Sequence, residues 1–195
     1  MMLTEERPAA DIEMLNLIKT SGTNALELVN DLLQLHSHTD SLTKEPVNLA
    51  DILSYCISML SAKAEAKNQQ ITLETMDVEM DVARHRLWRV FSNLLANAIK
   101  FSPENSQIQV KMVKAGNAIR IAISDQGIGI PAEMADKIFD LFTPARRPGT
   151  SGEESFGLGL AISRQIIEAH EGKLWFENNV QVGTTFLVEL PLTKH

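Results

Sequence analysis

Cysteine, long hydrophobic runs and a signal-like start are missing or nearly missing from this sequence. Cys56 is the only cysteine among 195 residues, which excludes an internal disulfide and a thiolate zinc site and favours a reducing compartment. No run approaches the ~18 apolar residues that a membrane span needs. The chain also does not open on a basic and then apolar segment. We therefore expect a cytoplasmic chain that does not cross a bilayer.

Positive charge is scarce as well. Lys and Arg number 18 against 25 Asp and Glu, which gives a net charge of −7. Binding to a phosphate backbone needs a local excess of cations, so we expect no nucleic-acid partner. What the sequence does contain is ordinary: 44% hydrophobic and 22% charged residues. This balance is typical of a soluble globular protein with a substantial core.

The first 45 residues differ from the rest. Residues 10–41 carry apolar side chains at helical spacing in two stripes, which predicts one long helix. Such a helix either packs on its own domain or belongs to a bundle completed by a second chain or an absent segment, and we favour the bundle. A polar connector with Pro46 covers residues 41–48. We therefore predict two parts, a bundle helix with connector at 1–45 and a domain at 46–195.

Beyond the connector, helical and strand patterns are mixed. A hairpin turn is predicted at Ala115-Gly116-Asn117, a mobile loop at 143–155, and a helix stop at Gly172. This mixture predicts an α+β fold, a two-layer sandwich of one mostly antiparallel sheet under helices. The predicted helices cover residues 49–67, 83–101, 132–139 and 158–170, and the predicted strands cover residues 71–75, 107–113, 118–123, 173–176 and 184–190.

One stripe of the helix that ends at residue 101 contains three polar residues and one aromatic residue, and we call it the polar stripe. Asn93, Asn97, Lys100 and Phe101 lie at i, i+4, i+7 and i+8, which places them on one face. Asn is a weak helix former, whereas its amide oxygen can hold Mg²⁺ and a nearby Lys can meet a phosphate. The alternative is that the two asparagines are simply exposed to solvent.

A second candidate follows the strand at 118–123. The chain runs from that strand into Asp125, Gly127 and Gly129. Asp at a strand end can accept a hydrogen bond from an exocyclic amine, and glycines let the backbone approach a ligand closely. Ile128 and Ile130 offer an apolar wall. The alternative is an ordinary Asp–Gly turn.

A third candidate is the segment Gly157-Leu158-Gly159-Leu160, directly before a predicted helix. Backbone amides at a helix start bind phosphate. The segment is not the dinucleotide fingerprint, because no third glycine follows at the required spacing and no strand precedes it. The alternative is a glycine that caps the helix.

Taken together, the three candidates resemble the ATP-binding domain of sensor histidine kinases, in the wider family shared with DNA gyrase, mismatch-repair ATPases and heat-shock chaperones. The resemblance covers about residues 46–192, and residues 10–41 look like the second helix of the kinase dimerisation bundle. It implies the Bergerat-type ATP-binding fold. Five motifs occur in the family's order: Asn93 to Phe101 (N box), Asp125 to Gly129 (first glycine box), Phe139 to Phe142 (F box), Gly157 to Ile162 (second glycine box) and Gly183 to Phe186 (closing strand).

The resemblance implies two cofactors, ATP and Mg²⁺, and roles around the base and the metal. Asp125 would bind the adenine amino group, and Thr185 would assist through water. Phe101 would pack beside the base. Asn97 would ligate Mg²⁺, with Asn93 beside it.

The phosphates would meet other parts of the chain. Lys100 and the backbone amides of the second glycine box would contact them. The loop 143–156 would be the ATP lid, with Arg146 or Arg147 as phosphate ligands. Glu171 stands where the family commonly has Gly, and we expect no consequence from this change.

The phospho-accepting histidine of such kinases lies on the first bundle helix, before an acidic residue, an Arg and a Pro, and this sequence has no such segment. We expect His36 and His38 to face solvent, and His85 and His170 to be ordinary helix residues. The resemblance thus implies a kinase domain that phosphorylates a histidine outside this chain and does not phosphorylate itself. The implied partners are that bundle, in a homodimer, and the receiver domain of a response regulator, and the chain could be the cytoplasmic part of a membrane-anchored sensor.

Two other functions stay open. An ATP-hydrolysing switch like gyrase needs a general base, usually a Glu one turn before the metal-binding Asn. That position is Asn93 here, which cannot take a proton. The other alternative is a non-catalytic nucleotide-binding regulator or an anti-sigma-type serine kinase of the same family.

Overall fold

The structure is a computed structural model that describes residues 11, 14, 15, 18 and 22, and then 43–140, 149–150 and 158–192. The chain divides into two compact units, Met1–Asp40 and Ser41–His195. In the first unit the described residues are helical, and Met14, Leu15 and Ile18 are exposed. The rest of the predicted helix at 10–41, including His36 and His38, lies outside the described residues.

The second unit is an α+β sandwich, as predicted. Its elements are β1 Glu45–Asn48, α1 Leu49–Glu65, β2 Gln70–Glu74, β3 Glu79–Val82, α2 Arg84–Phe101, β4 Gln107–Ala115, β5 Ala118–Ser124, a 3-10 turn Ala132–Met134, α3 Gly159–Ala169, β6 Lys173–Asn178 and β7 Thr184–Pro191. The five-stranded sheet has the order β2-β4-β5-β7-β6, with β2 parallel to β4 and the other neighbours antiparallel. Strands β1 and β3 form a separate antiparallel pair.

The core lies between the sheet and the helical layer. Alternate residues of the central strands are buried, in keeping with the period of two along a strand. Helix α2 packs against both α1 and α3, so it lies in the middle of the helical layer. The buried residues that carry these contacts are Ile108, Val110, Met112, Ile119, Ile121 and Ile123 from the strands, and Leu87, Val90, Phe91, Leu94, Leu95 and Ala98 from α2.

The predicted hairpin turn is confirmed, because β4 and β5 are joined through Gly116 and Asn117. Gly116 has φ +62°, a conformation that glycine adopts without strain. Two predictions were wrong. The end of the predicted connector is strand β1, since Val47 is buried and pairs with Met80 of β3, which we did not predict. The predicted helix at 132–139 is only a 3-10 turn over Ala132–Met134.

The end of helix α3 also differs from prediction. Glu171, not Gly172, takes the left-handed conformation with φ +60°. The Glu171 N–H donates to Glu168 O and the Gly172 N–H to Ile167 O, both at 2.9 Å, which is the Schellman pattern. A Cβ at Gly172 would lie 2.4 Å from Glu189 O. Gly172 is therefore needed for close packing on β7, while Glu171 bears the backbone strain.

His170 is not an ordinary helix residue. It is buried at the end of α3, where its Nε2 accepts a hydrogen bond from the Ala83 N–H at 3.0 Å and its Nδ1 lies 2.8 Å from Ile166 O. A neutral ring with its proton on Nδ1 satisfies both bonds. Burial lowers the pKa of His170, and the positive charges of Lys44 and Arg86 lower it further, whereas the bond to Ile166 O opposes the shift. His170 thus links α3 to the start of α2.

Candidate functional site

Asp125 is the most constrained residue of the candidate site. It follows the central strand β5 and is 6% exposed. Its Oδ1 accepts hydrogen bonds from the backbone N–H of Gly127 at 2.8 Å and of Thr184 at 3.1 Å. Among the described residues, none donates to Oδ2. Burial raises the pKa of the Asp125 carboxyl, and the two N–H donors partly oppose the shift.

Three glycines shape the backbone around this carboxylate. A Cβ at Gly127 would lie 2.5 Å from Phe101 O, so the turn after Asp125 contacts the end of α2 directly. A Cβ at Gly183, where φ is +96°, would lie 2.0 Å from Asp125 O. Gly129 has φ +67°. The first glycine box therefore needs glycine for close approach at one position and for a left-handed backbone at another.

The polar stripe of α2 forms as predicted. Asn93, Asn97, Lys100 and Phe101 are half-buried, between the fully buried core positions of the same helix. The Asn93 Nδ2 donates to Ser163 Oγ of α3 at 3.0 Å. In the part of the chain that the structure describes, the Asn97 side chain has no hydrogen bond. The Lys100 Nζ lies 5.4 Å from the centroid of the Phe101 ring.

The start of α3 meets this stripe. A Cβ at Gly159 would lie 2.3 Å from Asn93 Oδ1, so a side chain at this position would displace the Asn93 amide. Leu158 is the N-cap, and it is buried and gives no side-chain hydrogen bond to the helix start. Gly159 and Leu160 are half-buried. The first amides of α3 therefore have no side-chain cap from Leu158, an arrangement that suits an anion.

The backbone N–H of Thr184 donates to the Asp125 carboxylate, and Thr185 is the next residue of the same strand. Ser124 and Thr185 are opposite each other in the β5–β7 register, and their hydroxyls are 2.8 Å apart. The Thr185 hydroxyl also donates to the Oδ1 of Asn179. The Nδ2 of Asn179 in turn donates to the backbone oxygen of Asp125. Thr185 is thus connected to the Asp125 backbone through Asn179. No pattern in the sequence favoured Thr184 over its neighbour.

Asn178 is a further residue that sequence reasoning missed. Its Oδ1 accepts from the Ile130 N–H at 2.9 Å and its Nδ2 donates to Ile130 O at 2.7 Å. One amide side chain therefore binds both backbone groups of Ile130, the residue after the first glycine box, in the way that a neighbouring strand would. Ile128 is 48% exposed. No periodic pattern marks an Asn for this task.

Three predicted phosphate contacts, Arg146, Arg147 and Gly157, lie outside the described residues, as does most of the predicted lid. Within the described ranges no group of three His, Cys, Asp or Glu residues could hold a metal. Mg²⁺ usually takes several of its ligands from substrate phosphates and water, so a metal held here would need few ligands from the protein, and an amide oxygen could be one of them. The unbonded amide of Asn97 fits that requirement.

Comparisons with known proteins agree with this geometry. Residues 82–194 match the family described as histidine kinase-, DNA gyrase B-, and HSP90-like ATPase, and the chain belongs to this family. The sensor protein kinase WalK of Staphylococcus saprophyticus is 33% identical over 186 residues, which is 92% of this chain and 30% of the kinase. WalK of Staphylococcus aureus is 33% identical over 92% of this chain and 44% of that protein. The chain thus spans less than half the length of these relatives.

Solved structures give the same result. The catalytic domain of histidine kinase ThkA is 28% identical, with a TM-score of 0.66 over 78% of this chain and 99% of that one. ThkA in complex with the response regulator protein TrrA is 26% identical, with a TM-score of 0.77 over 96% of this chain and 53% of that one. A mycobacterial sensor histidine kinase, MprB, is 24% identical with a TM-score of 0.68 over 76% of this chain and 97% of that one, and shows the fold alone.

Proposed function

We propose that this chain is the ATP-binding catalytic part of a two-component sensor histidine kinase. It transfers the γ-phosphate of ATP to a histidine on a dimerisation bundle, for relay to an aspartate of a response-regulator receiver domain. The observation that carries the proposal is the Asp125 carboxylate. One oxygen is fixed by two backbone N–H groups while the other has no donor among the described residues, so it can accept the adenine amino group.

The phosphate end of ATP is bound by three parts of the chain: Asn97, Lys100 and the start of α3. Asn97 offers an amide oxygen to Mg²⁺, which neutralises phosphate charge when bound. Lys100 and the N-terminal amides of α3 supply positive potential in a chain of net charge −7. Arg146 or Arg147 adds to it. Phe101 packs beside the base, and Thr185 assists Asp125 in binding the adenine through water.

The proposed partners follow from this role. The chain would work as part of a homodimer whose bundle contains its own amino-terminal helix, on the cytoplasmic side of a sensor. Among the described residues no helix has the length and apolar character of a membrane span. ThkA has been solved with a response regulator, which supports a receiver domain as the eventual acceptor here.

An ATP-hydrolysing switch fits less well. Hydrolysis needs a base that activates water, and the position one turn before Asn97 is Asn93, whose amide donates to Ser163. A neutral amide in this contact cannot take a proton. We therefore expect slow hydrolysis by the isolated chain and transfer only to an added acceptor histidine.

The test joins binding to transfer. Calorimetry should show Mg²⁺-ATP binding in the micromolar to millimolar range, roughly −8 to −4 kcal/mol. Asp125→Asn should weaken it by about 1.5–3 kcal/mol, because the amine loses a charged acceptor. Asp51→Asn, an exposed change in the first turn of α1, is the matched control. Radiolabel from γ-labelled ATP should appear on an added bundle fragment with an acceptor His, and not on the chain itself.

Two results would contradict the proposal. Equal ATP affinity for the wild type and Asp125→Asn would remove Asp125 from the adenine site. Acid-labile label on the isolated chain that disappears when His36 and His38 are both changed to Ala would make those histidines the acceptors.

The metal role has its own prediction. Asn97→Ala should abolish the Mg²⁺ dependence of ATP binding while leaving the fold intact, because Asn97 lies outside the buried stripe of α2. Gln109→Ala, which removes an exposed amide of β4 instead, should leave that dependence unchanged. Titrations with and without Mg²⁺ check this, and a wild-type response from Asn97→Ala would mean that another residue holds the metal.

A further inference from the structure

A buried lysine outside all five family motifs contacts the end of the proposed site. Lys67 lies in the turn between α1 and β2 and is 7% exposed. Its Nζ donates to Ile99 O at 3.0 Å, to Lys100 O at 3.1 Å and to Thr150 Oγ1 at 2.7 Å. Lysine is rarely so buried. Two of these acceptors are carbonyls of the last turn of α2, where the helix dipole favours a cation.

Thr150 makes this contact more than a helix cap. Its N–H donates to Lys100 O at 3.0 Å, and its hydroxyl lies 3.0 Å from Lys100 O and 2.8 Å from Ser102 O. Thr150 is far along the chain from α2, in the stretch between the F box and the second glycine box. The Lys67 ammonium therefore binds both partners of one junction, the end of α2 and Thr150.

The residues at this junction are those that the proposed function uses. Lys100 and Phe101 belong to the polar stripe, and Phe101 O is the atom on which the backbone of Gly127 packs. A shift in the last turn of α2 would move the Lys100 ammonium, the Phe101 ring and the turn that holds Asp125 together. Gln69 also donates to Ile99 O and Ser102 O, but it does not contact Thr150.

We propose that Lys67 is a positioning residue for nucleotide binding, which holds Thr150 on the end of α2 and thereby sets Lys100 and Phe101 for the nucleotide. This inference rests on the proposed function. Lys67 acts on the nucleotide through the junction, by holding Thr150 and the last turn of α2 together. Its loss should therefore lower nucleotide affinity even where the chain stays folded.

The test uses three single variants and one double variant. Lys67→Met removes the ammonium and keeps the stem, and Thr150→Val removes the hydroxyl at an exposed position, so it threatens folding least. Lys63→Met is the matched control, because it removes the same charge from an exposed site in the last turn of α1. Mg²⁺-ATP affinity is measured at a temperature at which each variant is fully folded, and hydrogen exchange of the Thr150 amide is followed in parallel.

We expect Lys67→Met and Thr150→Val each to weaken ATP binding by about tenfold. The double variant should bind ATP no more weakly than the single variant with the lower affinity, because both substitutions disrupt the same junction. Exchange at the Thr150 amide should rise in Lys67→Met and not in Lys63→Met. A purely structural lysine would lower the unfolding midpoint and leave affinity and exchange at Thr150 as in the wild type.

Each contrary result has a distinct meaning. Wild-type affinity in folded Lys67→Met and Thr150→Val, with normal loss in Asp125→Asn, would overturn this inference and leave the proposed function standing. Equal weakening in Lys63→Met would assign the effect to net charge and also overturn it. If the wild type binds no nucleotide, the proposed function fails and this inference fails with it.

Discussion

The two ends of helix α2 are closed by different chemistry. At the amino-terminal end, His170 from the end of α3 accepts the Ala83 N–H. At the carboxy-terminal end, Lys67 and Gln69 from the turn after α1 donate to the last carbonyls. Both ends are fixed by a neighbouring helix's terminus, but only the second lies beside the polar stripe. Stability and ligand binding should therefore respond separately to changes at the two ends.

The largest effect is expected from Gly127→Ala, which alters the packing at the carboxy-terminal end of α2. The added Cβ would lie 2.5 Å from Phe101 O. That oxygen is a backbone atom and the position of a Cβ is fixed by its own backbone, so the clash cannot be relieved by a side-chain rotation. We expect a loss of about 1–3 kcal/mol in the free energy of unfolding, together with nucleotide affinity that falls beyond detection. Chemical denaturation and calorimetry measure the two quantities.

Gly116→Ala is the control for this change. Gly116 has φ +62°, and a Cβ added there would meet no neighbouring atom within 4 Å. The substitution should cost about 1–2 kcal/mol through backbone strain alone and leave ATP binding unchanged. An equal fall in nucleotide affinity in both variants would show that binding follows global stability. It would contradict the expectation that stability and binding respond separately at the two ends of α2.

An effect confined to stability, without loss of nucleotide binding, is expected at the amino-terminal end. His170→Leu leaves the buried Ala83 N–H without its acceptor, which should cost about 1–3 kcal/mol with no change in ATP affinity. The wild type should also lose stability in acid. Because burial lowers the folded-state pKa of His170, the unfolded state binds more protons as the pH falls below about 6.5, and stability is complete only above that value.

His170→Gln sharpens this prediction, since its amide oxygen can accept the same N–H but does not titrate. The difference in unfolding free energy between wild type and His170→Gln, measured from pH 8 to pH 5 — about the range in which histidine titrates — should change with pH. A difference that is constant over this range would contradict the assigned role. Because both proteins contain Asp125, this difference also cancels the contribution of its carboxyl to the pH dependence. The raised pKa of Asp125 acts in the opposite direction to His170 and favours the folded state in acid.

The smallest effect is expected from Glu171→Gly, next to His170. Glu171 holds φ +60°, which costs a non-glycine residue roughly 1 kcal/mol. Glycine should therefore raise the free energy of unfolding by about 0.5–1 kcal/mol, with ATP affinity unchanged. Thermal unfolding measures this gain. A loss of stability would mean that the Glu171 side chain contributes more than its backbone strain costs.

Much of this fold could be predicted from sequence, because local patterns dictate it. The apolar stripe of α2, the alternation in β4 and β5 and the Gly116 turn each specify their own element. The missed pair of strands shows the limit. β1 and β3 are four residues each, carry charges and pair across α1 and β2, so no local pattern marks them. The motif glycines were visible, but the close contact that Gly127 makes with Phe101 O is a tertiary fact.

The same limit applied to the site. Asn93, Asn97 and Lys100 were predictable because one helix places them together. Lys67, Asn178 and Thr184 were not, because their importance depends on backbone atoms far along the chain. A lysine in a polar turn is usually solvated, and only the fold shows that this one is buried on the end of α2.

The mixed sheet has a consequence for the order of folding. β4 and β5 are joined by a two-residue turn and pair in seven positions, so this hairpin can close early. β2 pairs with β4 across the intervening β3 and α2, and the hydrogen bond from Lys67 to Thr150 joins residues 83 apart in the chain. Contacts between residues so distant in sequence form slowly. The junction at the end of α2 should therefore be completed after the β4–β5 hairpin, and nucleotide binding should appear only once it has formed.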